Sequence, residues 1–217
     1  MRDTVIPTAA DTVSSEPRMN RRQAAKIRTR GKVLDAARNL FAERGYDAAT
    51  IRDIAKAAGM STGAVFANFQ DKAELFETVL ADEMGDLLLA VQTGAPKDGT
   101  VAERLTGALA AGYHRSLDQL PLMQATIARS WFQPDDADQR SRAFVKPIIE
   151  TLVAILRDGV GSGELRQDLD LPLLGRMIWE IYVSNFRFAA YDGWDITQLE
   201  PHARKQVDMI LAGQLAK

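Results

Sequence analysis

The sequence predicts an all-α chain, with short helices in its first third and longer ones after. Three observations carry that expectation. Apolar residues recur at three- and four-residue spacing along most of the 217 residues. No stretch alternates as a half-buried strand would, and the breaks between periodic segments carry the Gly, Pro and Asp that stop helices. With 46% hydrophobic and 26% charged residues, the chain can bury one large core or two modest ones.

Residues 1–20 are rich in Thr, Ser and Pro and lack an apolar period, so a disordered tail is expected. From Arg18 to Lys32 seven basic residues, Arg28 among them, occur without one acid. They read as a basic arm preceding the first folded element. Val33, Leu34, Ala37, Leu40 and Phe41 then share one helical face, and Gly45 is placed to end that helix. Thr50-Ile-Arg-Asp53 has capping-box spacing and opens a short helix reaching Ala58. Ser61 is a natural N-cap for a third short helix, and Asp71-Lys-Ala-Glu74 opens a fourth. Longer helices follow at about 71–91, 100–119, 122–132, 139–158, 171–191 and 196–215, divided by GAPKDGT, Pro121, QPDDAD, GVGSGE and YDGWD.

Several chemistries drop out. There is no cysteine, hence no disulfide framework, thiolate metal cluster or cysteine nucleophile. His114 and His202, the two histidines, lie 88 positions apart, so no metal site is expected, and no cofactor either. The glycines at 159, 161 and 163 follow a helix and are broken by Glu164; they read as a helix terminator rather than a nucleotide loop. No apolar run reaches the ~18 residues of a membrane span, and the N-terminus lacks a secretory apolar core. A cytoplasmic location is expected.

Gly59-Met-Ser-Thr-Gly63 matches the G-x-S-x-G signature of serine hydrolases. A nucleophile elbow needs a buried strand before the serine, and here Ile54-Ala-Lys-Ala-Ala58, a helix former, precedes it. No catalytic residue is therefore expected. A helix-turn-helix accounts for the same residues: Ala55 where two helices touch, Gly59 in the turn, and Ile54, Ala58, Met60 and Val65 to lock the pair. Charge agrees. Residues 18–76 hold 12 Lys/Arg against 6 Asp/Glu, whereas residues 81–217 hold 14 against 19, so one end suits a polyanion.

The run from Val33 to Leu80, VLDAARNLFAERGYDAATIRDIAKAAGMSTGAVFANFQDKAELFETVL, resembles the DNA-binding domain of TetR-family transcriptional repressors. It carries the pattern Leu-Phe, Gly-Tyr, T-x-x-D-I-A, A-G-M-S and K-x-x-L. The resemblance implies a helix-turn-helix DNA-binding domain over 21–76, basic arm included, and a larger helical effector-binding and dimerisation domain over 77–217. It implies Arg52 as a base reader, with Thr62, Gly63, Ala64, Phe66 and Ala67 facing the major groove and Thr50 and Lys72 on phosphates. Two positions depart from the pattern: Phe66 stands where tyrosine is usual and Asn68 where histidine or tyrosine is. Phe66 then packs on sugar or a methyl group, and Asn68 bonds a phosphate or an adenine edge. With so few polar groups on the third helix, the basic arm, Arg28 included, is expected to follow the backbone or enter a narrow minor groove.

The segment 171–191 is apolar on nearly every side, so a second copy should cover what one domain leaves open. The resemblance implies a homodimer on a palindromic double-stranded DNA operator. It also implies a small-molecule effector held among Tyr113, His114, Met123, Trp131, Phe144, Trp179, Tyr182 and Phe186. Aromatic residues at helical spacing are also what a plain core contains. The function expected is ligand-released repression, and the rival is a DNA-binding regulator controlled by a protein partner.

Overall fold

A computed structural model describes residues 21–216, apart from the side chain of Arg22. The tail over 1–20 and its expected disorder lie outside the described residues. Among those residues the chain forms nine helices and no strand: α1 (Arg21–Ala48), α2 (Ile51–Ala57), α3 (Thr62–Phe66), α4 (Lys72–Gly94), α5 (Val101–Leu117), α6 (Leu120–Ser130), α7 (Asp135–Gly161), α8 (Leu171–Asp192) and α9 (Ile196–Leu211). None is long and apolar enough to cross a membrane.

The first three helices form a head around Val33, Ala37 and Phe41 of α1, Ile54 of α2 and Val65 of α3, all fully buried. At Gly45 the backbone leaves the helix (φ 76°, ψ 175°), a conformation open to glycine, and it ends the regular part of α1 as its sequence position predicts. Thr50 caps α2 by accepting the Asp53 N–H at 3.2 Å, yet the reciprocal half of a capping box is absent. The Asp53 carboxylate instead accepts the Thr50 hydroxyl at 2.6 Å. Asp71 caps α4 through the Glu74 N–H at 2.8 Å, while Glu74 reaches one residue further back, to the Gln70 N–H at 2.6 Å.

Two expectations are corrected. The basic segment is no separate arm. From Arg21 onward it is already helical and continuous with α1, because no Gly or Pro interrupts residues 21–30. Its end is also tied down: the Arg30 guanidinium donates to the Asn68 carbonyl at 2.7 Å and lies 4.1 Å from the Phe69 ring centroid. Nor does Gly159 interrupt the helix before it, since a Cβ there would strike Val101 and this glycine serves close packing; α7 ends at Gly161 and reverses at Gly163 (φ 79°), so the other two glycines of the run do terminate it. At its other end α7 begins earlier than its period suggests, where Asp135, Asp136 and Asp138 complement the exposed N–H groups of the first turn.

The long helix α4 packs against α1 at the head and against α5 and α7 in the body. Two junctions join α1 to the body. In one, buried Glu83 of α4 accepts from Arg38 of α1 at 2.8 Å and from Arg115 of α5 at 2.9 Å, with Asp82 and Asp86 alongside. In the other, Tyr46 and Phe41 meet Phe76 of α4 edge-on at 5.1 Å, and Arg129 of α6 lies over Tyr46.

Candidate DNA-reading face and effector cavity

The turn between α2 and α3 is held by Met60 N–H donating to the Ala55 carbonyl at 2.8 Å and Gly59 N–H to Lys56 at 3.1 Å, with Gly59 at φ 69°. The Ser61 oxygen accepts the Ala64 N–H at 3.2 Å, which makes it the cap of α3. On the outer surface of this pair Arg52, Thr62, Gly63 and Ala67 are exposed, Ala64 is half-buried, and Phe66 is 55% exposed. An apolar ring so exposed on a short helix suits a base methyl or a sugar better than water. Arg52 makes no ion pair among the described residues, so its fork is available to a guanine edge. Arg28 is exposed on the helical extension of α1.

Three of the sequence candidates have internal partners. The single hydroxyl proton of Thr50 is committed to Asp53, whose carboxyl is held below the usual range chiefly by that bond, with Arg44 adding to it. Lys72 donates to the carbonyls of Tyr46 and Asp47 at 2.9 and 3.2 Å and sits 4.3 Å from the Tyr46 ring centroid. It thereby satisfies carbonyls freed where α1 breaks. Asn68 is half-buried and turns its amide nitrogen back to the Ala64 carbonyl at 2.9 Å.

In the body a cavity of about 1190 Å³, open to solvent, lies between α4, α6, α7 and α8. Leu80, Met84, Met123, Ile127 and Trp179 give it an apolar wall; Arg142, Lys146, Arg157 and Arg176 bring cations to it, and Asp138, Glu150, Asp170 and Glu180 bring carboxylates. Arg142 is paired with Asp138 at 2.6 Å and Lys146 with Glu150 at 3.6 Å. Arg157 and Arg176 are exposed and unpaired among the described residues. An open, largely apolar cavity with two unpaired guanidinium groups among its charged residues suits a molecule that is long, apolar and anionic at one end.

Of the eight effector candidates, Met123, Trp131 and Trp179 line this cavity; Trp131 is 80% exposed at its mouth. The other five do not. Tyr113, Tyr182 and Phe186 are packed core, with the two tyrosine rings stacked at 4.6 Å. Asn185 donates to the Tyr113 oxygen at 2.9 Å and to Gln206 at 2.7 Å, and the Tyr182 hydroxyl meets Ser116 at 3.1 Å. Burial pushes both phenols well above the ordinary tyrosine range. Phe144 is half-buried against that core and His114 is exposed on α5.

Residues 33–79 match the family of bacterial regulatory proteins called the tetR family. The HTH-type transcriptional repressor KstR2 of Mycolicibacterium smegmatis is 32% identical over 155 residues, covering 69% of this chain and 73% of that protein. The chain belongs to the TetR family. The fatty acid metabolism regulator protein of Bacillus subtilis is 27% identical over 156 residues, covering 68% of this chain and 76% of its own. The crystal structure of FadR from Bacillus subtilis in complex with stearoyl-CoA shares the fold, with a TM-score of 0.74 at 22% identity over 82% of this chain and 96% of that one.

As a TetR-family member the protein is a transcriptional regulator and not an enzyme, which agrees with Ser61 as a cap. Sequence reasoning missed the cavity's cations, although the signal was present. Arg142, Lys146, Ile149, Val153 and Arg157 follow one another at three- and four-residue steps, so they form one face of α7, and all five line the cavity.

Proposed function

We propose that this TetR-family regulator is a ligand-released repressor, a dimer on a palindromic operator whose effector is an acyl-CoA-like amphiphile. Residues 21–76 read DNA, and residues 77–217 bind the effector and dimerise. The observation that carries the reading is the cavity, which joins an apolar wall to unpaired Arg157 and Arg176. The acyl chain lies along Met123, Ile127 and Trp179, and the anionic end meets the guanidinium groups. The stearoyl-CoA held by the FadR structure that shares this fold supports the same effector class. Control by a protein partner alone would leave an open, largely apolar cavity of this size without an occupant. Met177 and Met209 of α8 and α9 are exposed, and a second copy is the cover proposed for them.

Binding selection from random duplexes gives the operator, and fluorescence anisotropy then measures release. Stearoyl-CoA is expected to weaken operator binding while coenzyme A without the chain does not. Release by neither stearoyl-CoA, stearate nor a sterol thioester would sink the amphiphile reading. Arg52→Ala is expected to cost about 1–3 kcal/mol on the selected operator and little on a scrambled duplex.

A further inference from the structure

Helix α6 turns two faces to two neighbours. Met123, Thr126, Ile127 and Ser130, at i, i+3, i+4 and i+7, line the cavity. Arg129 faces the head and lays its guanidinium carbon 3.6 Å from the Tyr46 ring centroid and 5.3 Å from that of Phe76. Phe76 belongs to both sites, since it lines the cavity and meets the Tyr46 ring at 5.1 Å. Tyr46 follows the Gly45 break, and its carbonyl takes the Lys72 ammonium. Gln119, at the N-cap of α6, supplies no side-chain cap, and the helix packs chiefly against α1. An element pressed between cavity and head, with one polar anchor to the head, is placed to transmit between them.

We propose that Arg129 is the positioning residue through which the state of the cavity reaches the DNA-reading helices. The proposal rests on the reading of the cavity as the effector site. A molecule lying on Met123 and Ile127 pushes α6 outward, and the guanidinium leaves the face of Tyr46. The end of α1, which leads into α2 through Thr50, is then released from the arrangement that fits DNA. The effector works because it binds the displaced α6 better than the seated one.

Two arms test this, and only one needs the effector. In the first, stearoyl-CoA binding is followed by tryptophan fluorescence, since Trp131 and Trp179 line the cavity, and operator affinity is measured in parallel by anisotropy. In the parent, saturating stearoyl-CoA is expected to weaken operator binding by about tenfold or more, within the usual range of allosteric coupling. In Arg129→Ala, which removes the seat of α6, operator binding is already weakened without ligand, stearoyl-CoA binds at least as tightly as in the parent, and the further weakening falls below about threefold. Tyr46→Phe, which keeps the ring, is expected to retain the parent's response, and Tyr46→Leu to lose it. A full response in Arg129→Ala overturns the proposal.

The second arm fills the cavity from α6 itself, with Ile127→Trp and no ligand. This change is expected to weaken operator binding about fivefold in the parent and to add nothing in Arg129→Ala, a non-additive pair. Additive losses, or a folded Ile127→Trp protein that holds the operator as the parent does, overturn the coupling. If stearoyl-CoA fails to bind while the second arm gives the non-additive result, the effector reading falls and the role of Arg129 stands.

Discussion

Arg38 and Arg129 each tie α1 to the body, by different chemistry. Arg38 enters a network in which Glu83, its side chain only 9% exposed, is shared with Arg115, and Asp35, Asp82 and Asp86 take the remaining donors. Arg129 has the faces of Tyr46 and Phe76. Losing one partner of a buried, several-membered ion pair strands the other charges, a cost of about 3–5 kcal/mol. A cation over an aromatic face contributes about 0.5–2 kcal/mol. The difference teaches which junction can move: the ionic one suits a pivot, and the aromatic one, against the cavity, suits a release.

Mutations can break this contrast or sharpen it. The largest effect is expected from Glu83→Ala, which leaves Arg38 and Arg115 half-buried without their shared carboxylate. About 3 kcal/mol of unfolding free energy should be lost in a urea titration, and a loss below about 1 kcal/mol would deny the network its role as pivot. Next, Tyr46→Leu removes the ring that stacks with Phe41 and meets Phe76, for about 1–2 kcal/mol by thermal unfolding. Tyr46→Phe should stay within about 0.5 kcal/mol of the parent.

A pair of Arg→Lys changes compares the junctions directly. Arg38→Lys gives up a fork that serves Glu83 and Asp82 together, with an expected cost of about 1 kcal/mol. Arg129→Lys keeps a charge over Tyr46 and should cost about half as much. Equal costs would remove the distinction.

The smallest effect expected is alkaline. Burial raises the Tyr46 phenol above the ordinary tyrosine value of 10.0, with the Arg129 charge opposing. The folded protein therefore holds this proton more firmly than the unfolded chain. That contribution is complete below pH 10.0 and is lost as pH rises through the higher native value. Urea midpoints followed upward from about pH 9 should fall slightly faster for the parent than for Tyr46→Phe, and parallel curves would show a solvent-like Tyr46.

Much of the head was legible in the sequence because its signals are local. Gly45 and Gly59 adopt the positive φ that only glycine takes readily, and Thr50, Ser61 and Asp71 cap the helices their spacing announces. The cavity was not legible in the same way. Trp179 and Tyr182 lie three residues apart on α8 and share its apolar character, yet Trp179 lines the cavity and Tyr182 is sealed against Tyr113 and Phe186. Periodicity reports that a side chain leaves water and says nothing of whether its neighbour is another side chain or a space. The partners of Lys72 and Asn68 were hidden for a related reason: each bonds to a backbone carbonyl, which every residue possesses and no sequence pattern marks.

The sequence by itself determined most of the helices, the capping residues Thr50, Ser61 and Asp71, the basic head and the TetR kinship, since all of these depend on residues near one another in the chain. Only the tertiary structure decided that the basic segment continues α1, that the cavity lies between α4, α6, α7 and α8, and that Arg129 meets Tyr46. The physical reason is distance along the chain. A contact between residues 46 and 129 depends on how α4, α5 and α6 pack, and packing answers to the shapes of many side chains at once.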